Sequence, residues 1–279
     1  MDHDLRVMTA ADIPAGMRLK EMAAWNQTPG DWERFLHASP QGCFVAEAGG
    51  QIVGSAATIA YESRFAWIGM VLVDPVTRGQ GIGTTLLRKT IEYLDECGIP
   101  SMKLDATPQG KPIYEKLGFV SEYEIERWVL KRPASDAAVT GHSTGLKEVL
   151  AFDHEIFGAD RSGLLRSVAQ EAPQFVLQER DQNRLAGYAF GRKGSKADHL
   201  GPWVAQDEDT ARNLLQEFLQ RSRQALVFVD GMKSNPWAMA LLRDQGFEFA
   251  RPLTRMFRGR NDFPGQPELQ CAILGPEFG

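Results

Sequence analysis

The chain carries two copies of one pattern at a fixed spacing. LLRK at 86–89 and LLQE at 214–217 stand 128 residues apart, as do Gly118-Phe119 and Gly246-Phe247. RLAGYAF (184–190) echoes QIVGSAA (51–57), and LTRMF (253–257) sits where IERWV (125–129) would fall. A repeat of this kind restricts the fold to two similar units in tandem. The 279 residues are long enough for two domains, and 43% hydrophobic content can supply a core for both. Beyond Lys131, RPASDAAVTGHSTG is rich in small, polar and turn-forming residues and lacks the apolar spacing of a core element. The expected division is a first domain over 1–131, a linker over 132–142 and a second domain over 143–279.

Within the first unit the elements alternate. LRVM (5–8) reads as a short strand, and Thr9 with Asp12, then Thr28 with Asp31, are capping-box starts for a helix reaching about Ala24 and a shorter one through Phe35 and Leu36. Gly49-Gly50 between apolar stretches marks a hairpin, and FAWIGMVLV (65–73) is a further strand. Leu86, Leu87, Ile91 and Leu94 recur at helical spacing, which predicts an amphipathic helix over 84–97. SMKLD (101–105) is another strand, KPIYEKLG a short helix closed by Gly118, and EIERWVLKR a final strand.

A formal net charge of −5 with no basic run argues against a nucleic-acid partner, whose phosphates call for clustered Lys and Arg. No stretch of about 18 apolar residues occurs, and the acidic start MDHDLRV lacks an apolar leader core, so the expectation is a cytoplasmic protein with no membrane partner. Cys43, Cys97 and Cys271 are odd in number and far apart, and the five histidines are scattered singly, so no metal is expected.

The stretch MVLVDPVTRGQGIGTTLLRK (70–89) is a strand that runs through a glycine-rich turn into a helix. Free N–H groups converge at a helix start, the helix dipole favours negative charge there, and glycines let the backbone come close to an anion. A tight turn needing positive φ is the alternative use of the same glycines. The spacing Gly79, Gly81, Gly83 followed by Thr84 and Thr85 fits neither a P-loop nor a dinucleotide fingerprint.

RGQGIG after VLVDP, followed some 30 residues later by IYEKLGF, resembles the GCN5-related N-acetyltransferases (GNAT). The resemblance covers about 5–131, and the chain as a whole looks like a tandem member with a degenerate second half. It implies an α/β fold in which each unit is a mixed, mostly antiparallel sheet flanked by helices, and it implies acetyl-CoA as co-substrate. Arg78, Gly79, Gln80, Gly81, Ile82, Gly83 and Thr84 would wrap the pyrophosphate. The strand before them would carry a bulge, with Leu72 and Val73 pairing to the pantetheine. Tyr114 would be the general acid for the departing thiolate, a role that suits a phenol of pKa near 10 beside a thiol near 8.5. From position alone Tyr114 is as readily an amphipathic core tyrosine. The base stays unassigned among Glu62, Asp105, Glu126 and His37. Trp25, Asn26 and Trp32, between the first two helices, are candidates for lining the acceptor site.

At the repeat spacing the glycines fall on Asp207, Asp209 and Ala211, the arginine on Gln206, and Tyr114 on Leu242. An acidic loop repels pyrophosphate and leucine cannot donate a proton, so the second unit is expected to keep the fold without the chemistry. It could cover the acceptor, with Asp230, Ser234, Asn235, Trp237 and Arg255 contributing, or serve only as structure. The expected function is acetyl transfer from acetyl-CoA to the amine of a small-molecule acceptor by direct attack in a ternary complex. The alternative is a non-catalytic acyl-CoA-binding or regulatory module. The sequence does not give the oligomeric state.

Overall fold

A computed structural model describes residues 3–134 and 145–279. Most of the expected linker, 132–142, lies outside those residues. In the first half, β1 (Asp4–Val7) leads through α1 (Ile13–Met22) and α2 (Pro29–Ala38) to β2 (Phe44–Ala48), β3 (Gln51–Tyr61) and β4 (Phe65–Val73). Next come α3 (Ile82–Glu96), β5 (Ser101–Ala106), α4 (Lys111–Lys116) and β6 (Val120–Lys131). The second half repeats the order with α5 (Leu146–Phe157), α6 (Ser162–Glu171), β7 (Leu177–Asp181), β8 (Arg184–Lys193), β9 (Asp198–Ala205), α7 (Glu208–Arg221), β10 (Leu226–Met232), α8 (Ala238–Asp244) and β11 (Glu248–Gly259). A short β12 (Gln270–Ala272) is extra. Local chemistry explains the starts. Thr9 with Asp12 and Thr28 with Asp31 both form capping boxes, and Gly49 and Gly50 both take positive φ at the hairpin. Helix α3 begins at Ile82, two residues before its expected start, because Gly81 serves as its N-cap.

The two halves share one sheet. The described strands form one sheet in the order β1-β2-β3-β4-β5-β11-β6-β10-β12-β9-β8-β7. Each half gives its last strand to the other: β11 pairs with β5, and β6 with β10. β6 and β11 lie antiparallel at the centre, where Ile125 faces Leu253, its own repeat partner, so a local two-fold axis passes between them. The exchange is stapled twice. Arg255 on β11 grips Asp105 on β5 with two bonds of 2.8 Å, and Arg127 on β6 grips Asp230 on β10 with bonds of 2.8 and 2.5 Å. Each arginine lies directly across the ladder from its aspartate.

One face of the sheet holds a core common to both halves. Leu19, Trp32 and Phe35 from α1 and α2 meet Val149, Leu165 and Val168 from α5 and α6, with Leu274 and Phe278 between them. On the other face each half has its own layer. α3 buries Leu86, Leu87, Ile91 and Leu94 against β3–β5, each worth about 1.5–3 kcal/mol, while α7 and α8 cover β8–β10 through Leu214, Phe218 and Leu242.

Candidate active site

β4 and β5 run parallel, yet they pair only at Ala66–Met102 and Trp67–Lys103. Beyond that apex they splay, leaving a gap between Ile68–Val73 and Leu104–Ala106. β4 also bulges: Leu72 faces Ser55 and Gly69 faces Ala57, so the two residues between them, Met70 and Val71, oppose Ala56 alone. Met70 has φ of 53°, and Ser55 Oγ donates 2.8 Å to its carbonyl. The bulge therefore falls at Met70–Val71, while Leu72 and Val73 sit in regular register with Ser55 and Gly54.

The glycine turn closes the open end of the gap. Asp74 takes the Val76 N–H at 3.1 Å and Arg18 at 2.9 Å, and these contacts hold its carboxyl below the ordinary range. Arg78 turns back to donate 3.2 Å to the Val73 carbonyl. Gly79 and Gly81 have φ of 78° and 84°, and a Cβ at either would meet nothing within 4 Å. Backbone conformation, not crowding, requires glycine there. The Thr85 N–H is the first to close a helical turn, at 3.0 Å to the Gly81 carbonyl. The N–H groups of Ile82, Gly83 and Thr84 are thus left for an outside acceptor, as at any helix start.

Tyr114, on α4, is half-buried against Phe119, with ring centroids 6.0 Å apart. Its hydroxyl has no hydrogen-bond partner among the described residues. Burial pushes the phenol up to about 12, so it is protonated throughout the neutral range.

The second half lacks each of these features. Gln206 and Asp207 alone separate β9 from α7, where eight residues separate β4 from α3. The aligned Asp209 and Ala211 lie inside α7, so the loop is deleted, not merely made acidic, and Asp207 caps the helix by accepting 2.8 Å from Thr210 N–H. Leu242 is fully buried at the position of Tyr114. β9 and β10 pair only at 198–200 with 227–229, and β12 then lies between them, paired to both. The gap that stays open in the first half is filled by a strand in the second.

The residues proposed for the acceptor are placed otherwise. Trp32 is fully buried in the shared core, pressed on Gly16, and Trp25 packs at its edge. Asn26 staples the halves: its Oδ1 accepts from the N–H groups of Lys196 and Ala197 at 2.9 and 3.0 Å, and its Nδ2 donates 3.0 Å to the Ala197 carbonyl. Asn235 caps α8 through the N–H groups of Trp237 and Ala238. Asp230 and Arg255 are taken up by the strand-exchange staples, and Arg255 also donates 2.6 Å to the Tyr123 hydroxyl and stacks 4.3 Å over Trp67. None of Trp32, Asn26 and Asn235 presents a free face to a ligand. Of the base candidates, Asp105 is locked on Arg255, Glu62 faces Arg64 and His154, and His37 lines a cavity of about 740 Å³ between α2, the end of β3 and α6, away from the gap. Glu126 is half-buried on the central strand.

Sequence reasoning missed the last seven residues. Residues 273–279 cross the shared face from β9 to β4: a Cβ at Gly201 would lie 1.9 Å from the Ile273 carbonyl, and one at Gly69 2.6 Å from that of Glu277. Trp67 Nε1 donates 3.0 Å to Pro276, and Tyr61 donates 2.7 Å to Phe278. Glu277 is thereby held over β4 beside the bulge. ILGPEFG carries no motif or periodicity that would announce this.

Two acetyltransferase family models match the chain, one described as "Acetyltransferase (GNAT) family" over 16–119 and one as "Acetyltransferase (GNAT) domain" over 149–270. The chain belongs to the GNAT acetyltransferases. The family assignment makes it an acyltransferase of tandem type, with one unit in each half. It is 28% identical over 262 residues to the holothin acyltransferase of a Pseudoalteromonas strain, covering 91% of this chain and 87% of that one. It is 27% identical over 158 residues to the uncharacterized N-acetyltransferase YitH of Bacillus subtilis, covering 54% of this chain and 55% of that one. In fold it is similar to a proposed acetyltransferase from Pyrococcus horikoshii, with TM-score 0.82 at 22% identity over 99% of this chain and 96% of that one. No helix among the described residues is long and apolar enough to cross a membrane, and none of their His, Cys, Asp and Glu side chains gather into a group that could hold a metal.

Proposed function

We propose that this GNAT protein transfers acetyl from acetyl-CoA to the amine of a small molecule, using the first half alone for the cofactor. The observation that carries the reading is the contrast between halves: an open β4–β5 gap, a free helix start and an unpartnered Tyr114 hydroxyl on one side, a gap filled by β12 on the other. Pyrophosphate would lie on the N–H groups of residues 79–84, with Arg78 alongside, and the pantetheine would run along β4 past Val73 and Leu72 toward the bulge. The bulge turns β4 backbone groups out of the ladder, where they can polarise the thioester carbonyl. Tyr114 donates its proton to sulfur as the C–S bond breaks. Its pKa lies above that of a free thiol, but burial also disfavours the thiolate, and the proton moves toward the atom gaining charge in the transition state. Residues 273–279 lie across β4 beside the bulge, and with the second half they would roof the acceptor's approach, which favours a small amine over a long peptide. The acyltransferase relative covering 87% of its length is named for holothin, a comparison in the same direction.

The test is release of free thiol from acetyl-CoA across a panel of small amines and peptides, with calorimetry of coenzyme A alongside. One coenzyme A per chain and turnover with at least one small amine are expected. Binding without turnover of any amine would leave a regulatory acyl-CoA module, and faster turnover of peptides than of every small amine would refute the roofed acceptor site.

A further inference from the structure

The shared face of the sheet contains a chain of charged side chains that ends in two loose ends. Glu277, 2% exposed in its side chain, receives 2.6 Å from Arg192 on Oε1, while Oε2 has no hydrogen-bond partner among the described residues. Arg192 also donates 2.9 Å to Asp31 and stands 3.3 Å from His199 Nδ1. His199 Nε2 lies 3.0 Å from Asp230, which Arg127 grips from the other side. Burial lowers the His199 pKa against the pull of Asp230, which favours the neutral ring. Directly across the ladder from Arg127 is Arg251. Arg251 is half-buried and has neither an ion pair nor a hydrogen bond among the described residues. The charges that act on it are those of Arg127, Asp230 and Glu277.

A largely buried carboxylate oxygen and a guanidinium, both without partners, are costly unless something bridges them. Arg34 shares Asp31 with Arg192 and also grips Glu171, so Asp31, Asp230, Glu277 and Glu171 balance Arg34, Arg127, Arg192 and Arg251, and the cluster is neutral as a whole. A ligand of net charge would unbalance it, whereas a zwitterion would satisfy both ends. Glu277 is also the end nearest the reaction, since its backbone lies against Gly69, next to the Met70 bulge.

We infer that the acceptor is an amino acid or a similar zwitterion, whose carboxylate pairs with Arg251 and whose amine faces Glu277 Oε2. The inference rests on the acetyl-transfer reading and adds the acceptor's chemical class and the base. The bound ammonium first gives one proton to solvent; the neutral nitrogen then forms the C–N bond to the acetyl carbonyl carbon and passes its second proton to Glu277. The C–S bond then breaks with its electron pair on sulfur, which takes the proton of Tyr114. Glu277 and Tyr114 re-equilibrate with solvent.

The test begins with binding, so that it does not depend on turnover. Calorimetry on the coenzyme A-loaded protein would compare glycine, β-alanine, γ-aminobutyrate, L-lysine and L-glutamate with ethylamine, glycinamide and β-alaninamide. At least one zwitterion should bind at least tenfold more tightly than its carboxylate-free counterpart. Arg251→Gln should abolish that preference, Arg251→Lys should restore part of it, and coenzyme A affinity should be unchanged in both, which shows that they fold. With acetyl-CoA, Glu277→Gln should lower kcat more than it raises KM. If no zwitterion is preferred, or if Arg251→Gln keeps the preference, the inference is wrong while acetyl transfer to other amines can still stand. If zwitterions bind but no amine is acetylated, the site survives and the transfer reading fails.

Discussion

Tyr114 is the residue on which the chemistry turns, and its environment sets two measurable properties. Removing its hydroxyl takes away the proton donor but leaves the ring packed on Phe119. Tyr114→Phe should therefore lower kcat about 10²-fold, with acetyl-CoA affinity unchanged by calorimetry. The loss should shrink with an acyl donor whose thiol is more acidic, since that sulfur needs less help. Burial raises the phenol from 10 to about 12, so the fold favours the protonated form and the acid stays intact as pH rises through the unfolded value. The alkaline limb of kcat should then show no ionisation near pH 10. A fall there that disappears in Tyr114→Phe would show that Tyr114 titrates as an ordinary exposed phenol.

At the scale of elements, the strand–turn–helix unit decides which half holds the cofactor. Gly81 caps α3 in the left-handed region, where an L side chain costs roughly 1 kcal/mol and a carboxylate adds repulsion toward a phosphate. Gly81→Asp should weaken coenzyme A at least tenfold in calorimetry with little change in melting temperature. The converse substitution is equally informative. Asp207→Gly removes the acid from the second turn but restores neither the missing residues nor the gap that β12 occupies, so the stoichiometry should remain one. Two sites in that variant would refute the role assigned to β12.

The whole molecule is held as one sheet by strand exchange, and the buried pairs Arg255–Asp105 and Arg127–Asp230 tie each exchanged strand to its new neighbour. The Asp105 side chain is fully buried, and burial pushes its pKa up against the pull of Arg255, which shows how costly its charge would be alone. Arg255→Met should destabilise the protein by about 3–5 kcal/mol in denaturant titration, because it strands that carboxylate. Adding Asp105→Leu should recover most of the loss. A double variant as unstable as the single one would mean that the stacking of Arg255 on Trp67, not the ion pair, provides the stabilisation.

The sequence by itself determined the repeat, the caps and turns that start its helices, the glycine turn ahead of α3, and the loss of those glycines and of the tyrosine from the second half. These are properties of neighbouring residues: capping, periodicity and backbone freedom are local, and a constant spacing is visible without a fold. Tertiary structure decided the rest. The exchange of β6 and β11 depends on pairing energies between strands about a hundred residues apart or more, and a repeated sequence reads the same whether each unit keeps its last strand or gives it away. Trp32 and Asn26 looked like binding residues because tryptophan and asparagine suit both uses, and only packing showed one in the core and the other as a staple. Glu277 and Arg251, 26 positions apart and in no shared motif, became a pair of candidates only because residues 273–279 fold back across β9 and β4, where burial denies them water and gives their charges consequence.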